Sequence, residues 1–253
     1  MAHHPSDSGI RLKVEHIKKY FGTFPAVDDV SFEVRHGEVM AIIGPNGAGK
    51  TTVFNVLSGH MKPTSGHIYL DNVDIAGQKP HKVARLGIGR AFQTTNIFPS
   101  LTVLENVLSA VHTANRHTYR VWGLSERSVR KEAEQLLSLV NLTEHHGFPA
   151  GALSHGDQRA LEIALALATS PKVLLLDEPT AGMSPYETQQ TVELVRRIVA
   201  AQGLTVVLSE HDMEVVFGLA DRITVMEAGR VLARGTPQEI RENPAVQRAY
   251  LGE

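Results

Sequence analysis

Apolar and polar positions follow two rhythms along the chain. In the first third, short apolar runs bounded by Gly and Pro predict strands at Arg11–Ile17, Val30–Val34, Val39–Ile43 and His67–Leu70. From Thr102 the spacing turns helical. Thr102 and Glu105 stand as a capping box ahead of a helix over Val103–Val111. A second amphipathic helix is predicted over Glu126–Val140, with Leu136, Leu137 and Val140 on one face. A loop over Gly147–Gly151 leads to a third helix, Asp157–Thr169, buried along Leu161, Ala164, Leu165 and Ala168. Beyond it, strands at Val173–Leu176 and Leu204–Ser209 alternate with helices at Pro185–Ala200 and Met213–Leu219. Ile223–Met226 and Val231–Ala233 then form a hairpin across Ala228–Gly229. Strands alternating with helices imply a mainly parallel sheet covered on both faces, so the fold class is α/β. The helical middle is expected as an insertion into that single domain.

The chain has 253 residues, 42% hydrophobic and 21% charged, which excludes a disordered or collagen-like polymer. A net charge of -2 argues against a basic coat for nucleic acid. With no cysteine there is no disulfide scaffold, thiolate metal site or cysteine nucleophile. No apolar run reaches bilayer-spanning length, and Met1–Ser8 is polar with no signal-peptide core, so the expectation is a cytoplasmic chain. His145 and His146 lack ligand spacing, and Gly87-Ile88-Gly89 is half of a dinucleotide fingerprint that leads into no helix.

Candidate chemistry starts at Gly44-Pro45-Asn46-Gly47-Ala48-Gly49-Lys50-Thr51, which matches G-x-x-x-x-G-K-[ST] between a buried strand and the helix-like run Thr52–Ser58. Glycines let successive N–H groups converge on phosphate oxygens, and the helix start adds its positive dipole end. Gly44, Asn46, Gly47, Ala48, Gly49, Lys50, Thr51 and Thr52 are therefore candidate nucleotide-binding residues, with Lys50 for the β- and γ-phosphates and the Thr51 hydroxyl for Mg²⁺. Val173–Leu176 ends in Asp177-Glu178, where open α/β sheets gather ligand residues. There Asp177 would hold Mg²⁺, directly or through water, and Glu178 would polarise an attacking water.

Three further pieces carry a resemblance. Leu153-Ser154-His155-Gly156-Asp157-Gln158 resembles the LSGGQ signature of ATP-binding cassette (ABC) proteins; Gln93 resembles their Q-loop glutamine and His211 their switch histidine. The ordered motifs cover Arg11 to Glu253. The resemblance implies a P-loop NTPase cassette that hydrolyses ATP with Mg²⁺. Its fold would be a RecA-like, mainly parallel core with a small antiparallel β region and an inserted helical subdomain. The implied boundaries are a leader over 1–10, a core over 11–93 and 171–253, and a helical subdomain over 94–170. It further implies that Gln93 touches metal and water, that His211 contacts the γ-phosphate, and that Phe21, with Tyr20 as alternate, stacks on adenine. Each ATP would lie between one phosphate loop and the Ser154 and Gly156 of a second cassette.

Two stretches depart from the cassette pattern: His155 and Asp157 replace Gly and Gln in the signature, and Ser184 stands where an aspartate is usual. Ser184, Pro185 and Glu187 still supply a cap, a first-turn proline and a capping-box partner. Phe92-Gln93-Thr94-Thr95, Leu101-Thr102-Val103-Leu104-Glu105-Asn106, the long stretch from Asn106 to Glu126, Gly182-Met183-Ser184-Pro185 and the tail Ala249–Glu253 resemble the LivG-type ATPases of branched-chain amino acid importers. That implies import of branched-chain or other hydrophobic amino acids, with a second ATPase subunit (LivF-type, or another copy in a homodimer), two membrane permeases fed by a solute-binding protein, peripheral attachment at the cytoplasmic membrane face, and no nucleic-acid partner. Phe98, Pro99, Leu101 and Val103 are read either as a permease contact or as core of the helical insertion. Urea or amide import, a lipopolysaccharide-export ATPase, a soluble cassette and a non-hydrolysing nucleotide sensor are the other readings.

Overall fold

A computed structural model describes residues 9–91, 97–117 and 126–251. Two β strands open the chain, β1 (Ile10–Phe21) and β2 (Phe24–Arg35), both longer than their apolar runs suggest because they pair with each other. β1 already begins at Ile10, inside the expected leader, and pairs there with Arg35. β3 (Val39–Ile43) leads through the glycine-rich loop into α1 (Lys50–Leu57). There follow β4 (Ser65–Leu70), β5 (Val73–Asp74), α2 (Pro80–Leu86) and β6 (Ile88–Ala91). The helical stretch contains α3 (Val103–His117), α4 (Glu126–Leu139) and α5 (His155–Leu167). The chain then returns through β7 (Val173–Asp177), α6 (Pro185–Gln202), β8 (Thr205–Ser209), α7 (Met213–Leu219), β9 (Arg222–Glu227) and β10 (Arg230–Gly235), ending in α8 (Pro237–Arg241) and α9 (Pro244–Leu251).

The six-stranded sheet runs β10-β9-β3-β8-β7-β6, parallel throughout except for β10, and β2-β1-β4-β5 form a second, antiparallel sheet. The continuous apolar runs become central strands because both faces are covered. On β3, Val39, Ala41 and Ile43 join the core beneath the helices, whereas Met40 and Ile42 join the core shared with α1 and the antiparallel sheet. β7 divides in the same way, Leu174 and Leu176 against Val173 and Leu175. Strand periodicity of two thus feeds two separate cores from one sheet.

Helix starts follow the capping chemistry. The Glu105 carboxylate accepts from the Thr102 N–H at 2.7 Å ahead of α3, and Ser184 and Glu187 form a reciprocal capping box on α6. α1 begins at Lys50, earlier than the apolar spacing suggests, because Gly49 supplies a left-handed N-cap at φ 97°. β5, α2, α8 and α9 have no counterpart in the hydrophobic pattern, since they are too short for a period to register. No helix among the described residues is long and apolar enough to cross a membrane.

Candidate active site

The sheet order builds the site. β8 lies between β3 and β7, so the loop after β3 and the acidic end of β7 open on the same, C-terminal edge. The glycine-rich loop is held from below by the β9–β10 turn, where the Gly229 N–H donates to the Ala48 carbonyl at 3.1 Å. A Cβ on Gly44 would run into the Met226 carbonyl, and one on Gly49 would stand 2.5 Å from the Ala26 carbonyl. Those glycines are needed for close approach of backbone to backbone.

Lys50 is buried, and its ammonium donates to the carbonyl oxygens of Gly44 at 2.6 Å and Pro45 at 3.2 Å. Burial lowers its pKa, and the nearby Glu178 and Asp177 carboxylates oppose that shift. A pocket of about 330 Å³ is lined by Phe21, Phe24, Asn46, Gly47, Ala48, Gly49, Lys50, Thr51, Thr52, Glu178 and His211. Phe21 is half exposed, with the Lys19 ammonium 5.2 Å from its ring centroid. The alternate, Tyr20, is engaged elsewhere: its hydroxyl donates to Asp28 at 2.8 Å, and it does not line the pocket.

At the end of β7 the Asp177 carboxylate is buried, with 2% of its side chain exposed. Ser209, its register partner on β8, donates to one oxygen at 2.7 Å, and Arg90 donates to the other at 2.8 Å. Glu178 follows at φ 49°, a left-handed conformation costing about 1–3 kcal/mol in a non-glycine residue. Its N–H is secured by the Ser209 carbonyl at 3.1 Å. His211 Nε2 lies 2.8 Å from Glu178 Oε1, so the histidine at the end of β8 touches the acid at the end of β7.

Two side chains that sequence reasoning left without a role pin this edge. Glu210 is buried and accepts from both the N–H and the hydroxyl of Thr180, at 2.9 and 2.6 Å. Arg159, on α5, donates to the backbone carbonyls of Asp177 (3.2 Å), Glu178 (2.9 Å) and Pro179 (3.3 Å), and pairs with the buried Glu162 at 2.6 Å. The signal for both was their charge beside an otherwise apolar run.

Ser154 and Gly156 do not line the phosphate pocket of their own chain. Ser154 caps α5: its oxygen accepts the Asp157 N–H at 3.1 Å, and its hydroxyl donates to the Asp157 carboxylate at 2.9 Å. The Glu187 side chain packs against Gly156, its Cγ 3.4 Å from the position a Cβ would take there. Hydrogen bonds from the Ser184 N–H and hydroxyl, aided by the Gly156 N–H, hold the Glu187 pKa below the ordinary carboxylate range. Gln93 lies outside the described residues. Of the apolar segment beyond it, Phe98 is 57% exposed, whereas Val103 is fully buried in the core. Val103 therefore packs in the core, while Phe98 borders a groove of about 610 Å³ between α2, α3 and α5.

The family model for ABC transporters matches residues 27–181, which include the phosphate loop, the signature and the Asp177-Glu178 pair. The chain belongs to the ABC transporter family. A second model, for branched-chain amino acid ATP-binding cassette transporters, matches residues 230–253 of this cassette. The cassette is 44% identical to the high-affinity branched-chain amino acid transport ATP-binding protein BraF of Pseudomonas aeruginosa, over 96% of this chain and 98% of BraF. It is 43% identical to LivG of Escherichia coli, a protein of the same description, over 96% of this chain and 98% of LivG. Among solved structures, the ATP-binding cassette MJ1267 in its ADP conformation is 35% identical and superposes with a TM-score of 0.86, covering 97% of this chain and all of that one. The cassette is therefore an ATP-binding ATP hydrolase with the P-loop ABC fold.

Proposed function

We propose that this cassette powers import of branched-chain amino acids through membrane permeases, and that ATP is bound and hydrolysed at the edge formed by the glycine-rich loop, Asp177-Glu178 and His211. The observation that carries the site is one pocket lined by Phe21, Lys50, Thr51, Glu178 and His211, residues from four separate parts of the chain. Phe21 stacks on adenine; the loop N–H groups and Lys50 hold the phosphates, with Lys50 leaving the Gly44 and Pro45 carbonyls to do so. Glu178 orients and polarises the attacking water, and His211 holds that carboxylate in place while reaching the γ-phosphate.

Among the described residues no group of three or more His, Cys, Asp or Glu could hold a metal unaided. The Thr51 hydroxyl and Asp177 carboxylate are hard oxygen donors that suit Mg²⁺ arriving with a nucleotide's phosphates, joined by Gln93. Bound there, Mg²⁺ would neutralise charge developing on the phosphates.

Ser154 and Gly156 serve the γ-phosphate of a second cassette, which accounts for their position away from their own chain's phosphate pocket. The groove bordered by Phe98 receives the permease, so the chain works peripherally at the cytoplasmic membrane face, with a solute-binding protein acting indirectly. The match of residues 230–253 to the branched-chain amino acid model and the likeness to BraF and LivG favour that solute over urea, amides or lipopolysaccharide.

Lys50→Ala is expected to abolish ATP binding, and wild-type affinity in calorimetry would refute the site. Glu178→Gln is expected to bind ATP while turnover falls about 100-fold or more. ATPase activity of the complex purified with its permeases should rise with leucine, isoleucine or valine; stimulation by urea or amides alone would overturn the choice of solute.

A further inference from the structure

The two residues assigned to the metal sit on different elements, Thr51 in the first turn of α1 and Asp177 at the end of β7. Their spacing is therefore a tertiary quantity, and something must fix it. Among the described residues, Arg90 bonds to both elements. One of its terminal nitrogens donates to Asn55 Oδ1 at 2.8 Å and to Ser58 Oγ at 3.0 Å, both at α1; the other donates to Asp177 Oδ2 at 2.8 Å. The arginine is 8% exposed and the aspartate 2%, so this is a buried, charge-assisted contact rather than a surface pair.

The register explains how it arises. β6 and β7 are parallel with Arg90 opposite Leu175, which sets Asp177 two residues further along on the same face. That face packs against α1: Ile88 and Leu175 belong to the core that also holds Val53 and Leu57. A planar fork fits the task, since it reaches three acceptors from one stem, where an ammonium is a point charge. Ser209 fixes the other Asp177 oxygen at 2.7 Å, so the carboxylate plane is defined from both sides.

We propose that Arg90 is the positioning residue of the metal site, holding the Asp177 carboxylate at a fixed place relative to α1 and hence to the Thr51 hydroxyl. The inference rests on the assignment of Thr51 and Asp177 as the metal-holding pair. Arg90 does not line the phosphate pocket and acts through Asp177.

The test separates metal from nucleotide. ATP affinity of the full chain is measured calorimetrically in EDTA and in Mg²⁺, and the ratio gives the gain contributed by the metal. For Arg90→Gln the affinity in EDTA stays within about twofold of wild type while the gain from Mg²⁺ falls about tenfold, the usual scale for losing a partner of a metal ligand. Arg90→Lys, which keeps the charge but not the fork, falls between the two. The Mg²⁺ concentration giving half-maximal hydrolysis rises in the same order. An unchanged gain from Mg²⁺ in Arg90→Gln overturns the proposal, and so does an equal loss in EDTA and Mg²⁺, which would make Arg90 a support of the whole pocket. If Arg90→Gln does not fold, Arg90→Lys is read by the same two criteria. Failure of the underlying site shows differently: the wild-type chain itself would gain nothing from Mg²⁺, or Lys50→Ala would bind ATP normally.

Discussion

Replacing Arg159 with leucine removes a guanidinium that is 11% exposed and leaves Glu162, 6% exposed, as a buried carboxylate without it. Breaking a buried ion pair from one side costs about 3–5 kcal/mol, because the remaining charge keeps its desolvation penalty. The carbonyls of Asp177, Glu178 and Pro179 lose a charged donor as well, at 2.9–3.3 Å, with about 1 kcal/mol for the closest of these bonds. A total near 5 kcal/mol corresponds to a melting point lower by about 10–20 °C for a chain of this size. Urea unfolding of wild type, Arg159→Leu, Glu162→Leu and the double variant gives a cycle. The double variant should recover about 2 kcal/mol or more of the single loss, since no lone charge remains. Hydrolysis by the double variant should stay slow even so, because the backbone that carries Glu178 at φ 49° has lost its clamp. A loss under about 1 kcal/mol for Arg159→Leu, or a double variant no more stable than that single one, would mean that Arg159 and Glu162 do not form a buried pair of this strength.

Phe21→Ala should weaken ATP binding by about 1–3 kcal/mol through lost base stacking while inorganic triphosphate binds as before; a parallel loss for both ligands in calorimetry would remove the stacking role. Asp157→Gln takes a carboxylate away from the Ser154 hydroxyl, which now donates to it at 2.9 Å, and so removes a like charge from the approach of a partner's γ-phosphate. In a Glu178→Gln background it should lower the ATP concentration needed for dimerisation roughly severalfold, read by size-exclusion chromatography, and no shift would count against that role. Glu38 is buried, and burial raises its pKa, only partly offset by the Arg35 N–H. A carboxyl that holds its proton more tightly when folded favours the folded state below its unfolded pKa, and that benefit is lost as pH rises through the folded value. Glu38→Gln should therefore be more stable than wild type above the ordinary carboxylate range, and its unfolding midpoint should gain on the wild type's as pH is raised from the acid side. A wild-type midpoint that loses nothing relative to the variant's as pH rises through that window would contradict the assignment.

Local chemistry was readable residue by residue because it depends on near neighbours. The glycines around Lys50, the capping pair Ser184 and Glu187, and the Asp177-Glu178 pair after an apolar strand each carry their meaning within a few positions. The alternation of strands and helices likewise fixes a parallel sheet, since both faces of such strands must be covered. Strand order lies beyond that reach. Nothing local says that β8 falls between β3 and β7, yet that placement brings His211 to Glu178 and Ser209 to Asp177. The same holds for the side chains that support the site. Arg90 and Arg159 are charges within otherwise apolar stretches, a sign of some buried partner, but which partner depends on register and on the packing of α5 against the sheet. The choice between Phe21 and Tyr20 also waited on the fold, because adjacent strand residues point to opposite faces and only Phe21 borders the phosphate loop. Which chemical groups this cassette carries, and which local turns present them, follows from the order of residues. Tertiary structure alone decided which of them meet, because hydrogen bonds and ion pairs act over a few ångströms while the groups they join are far apart along the chain.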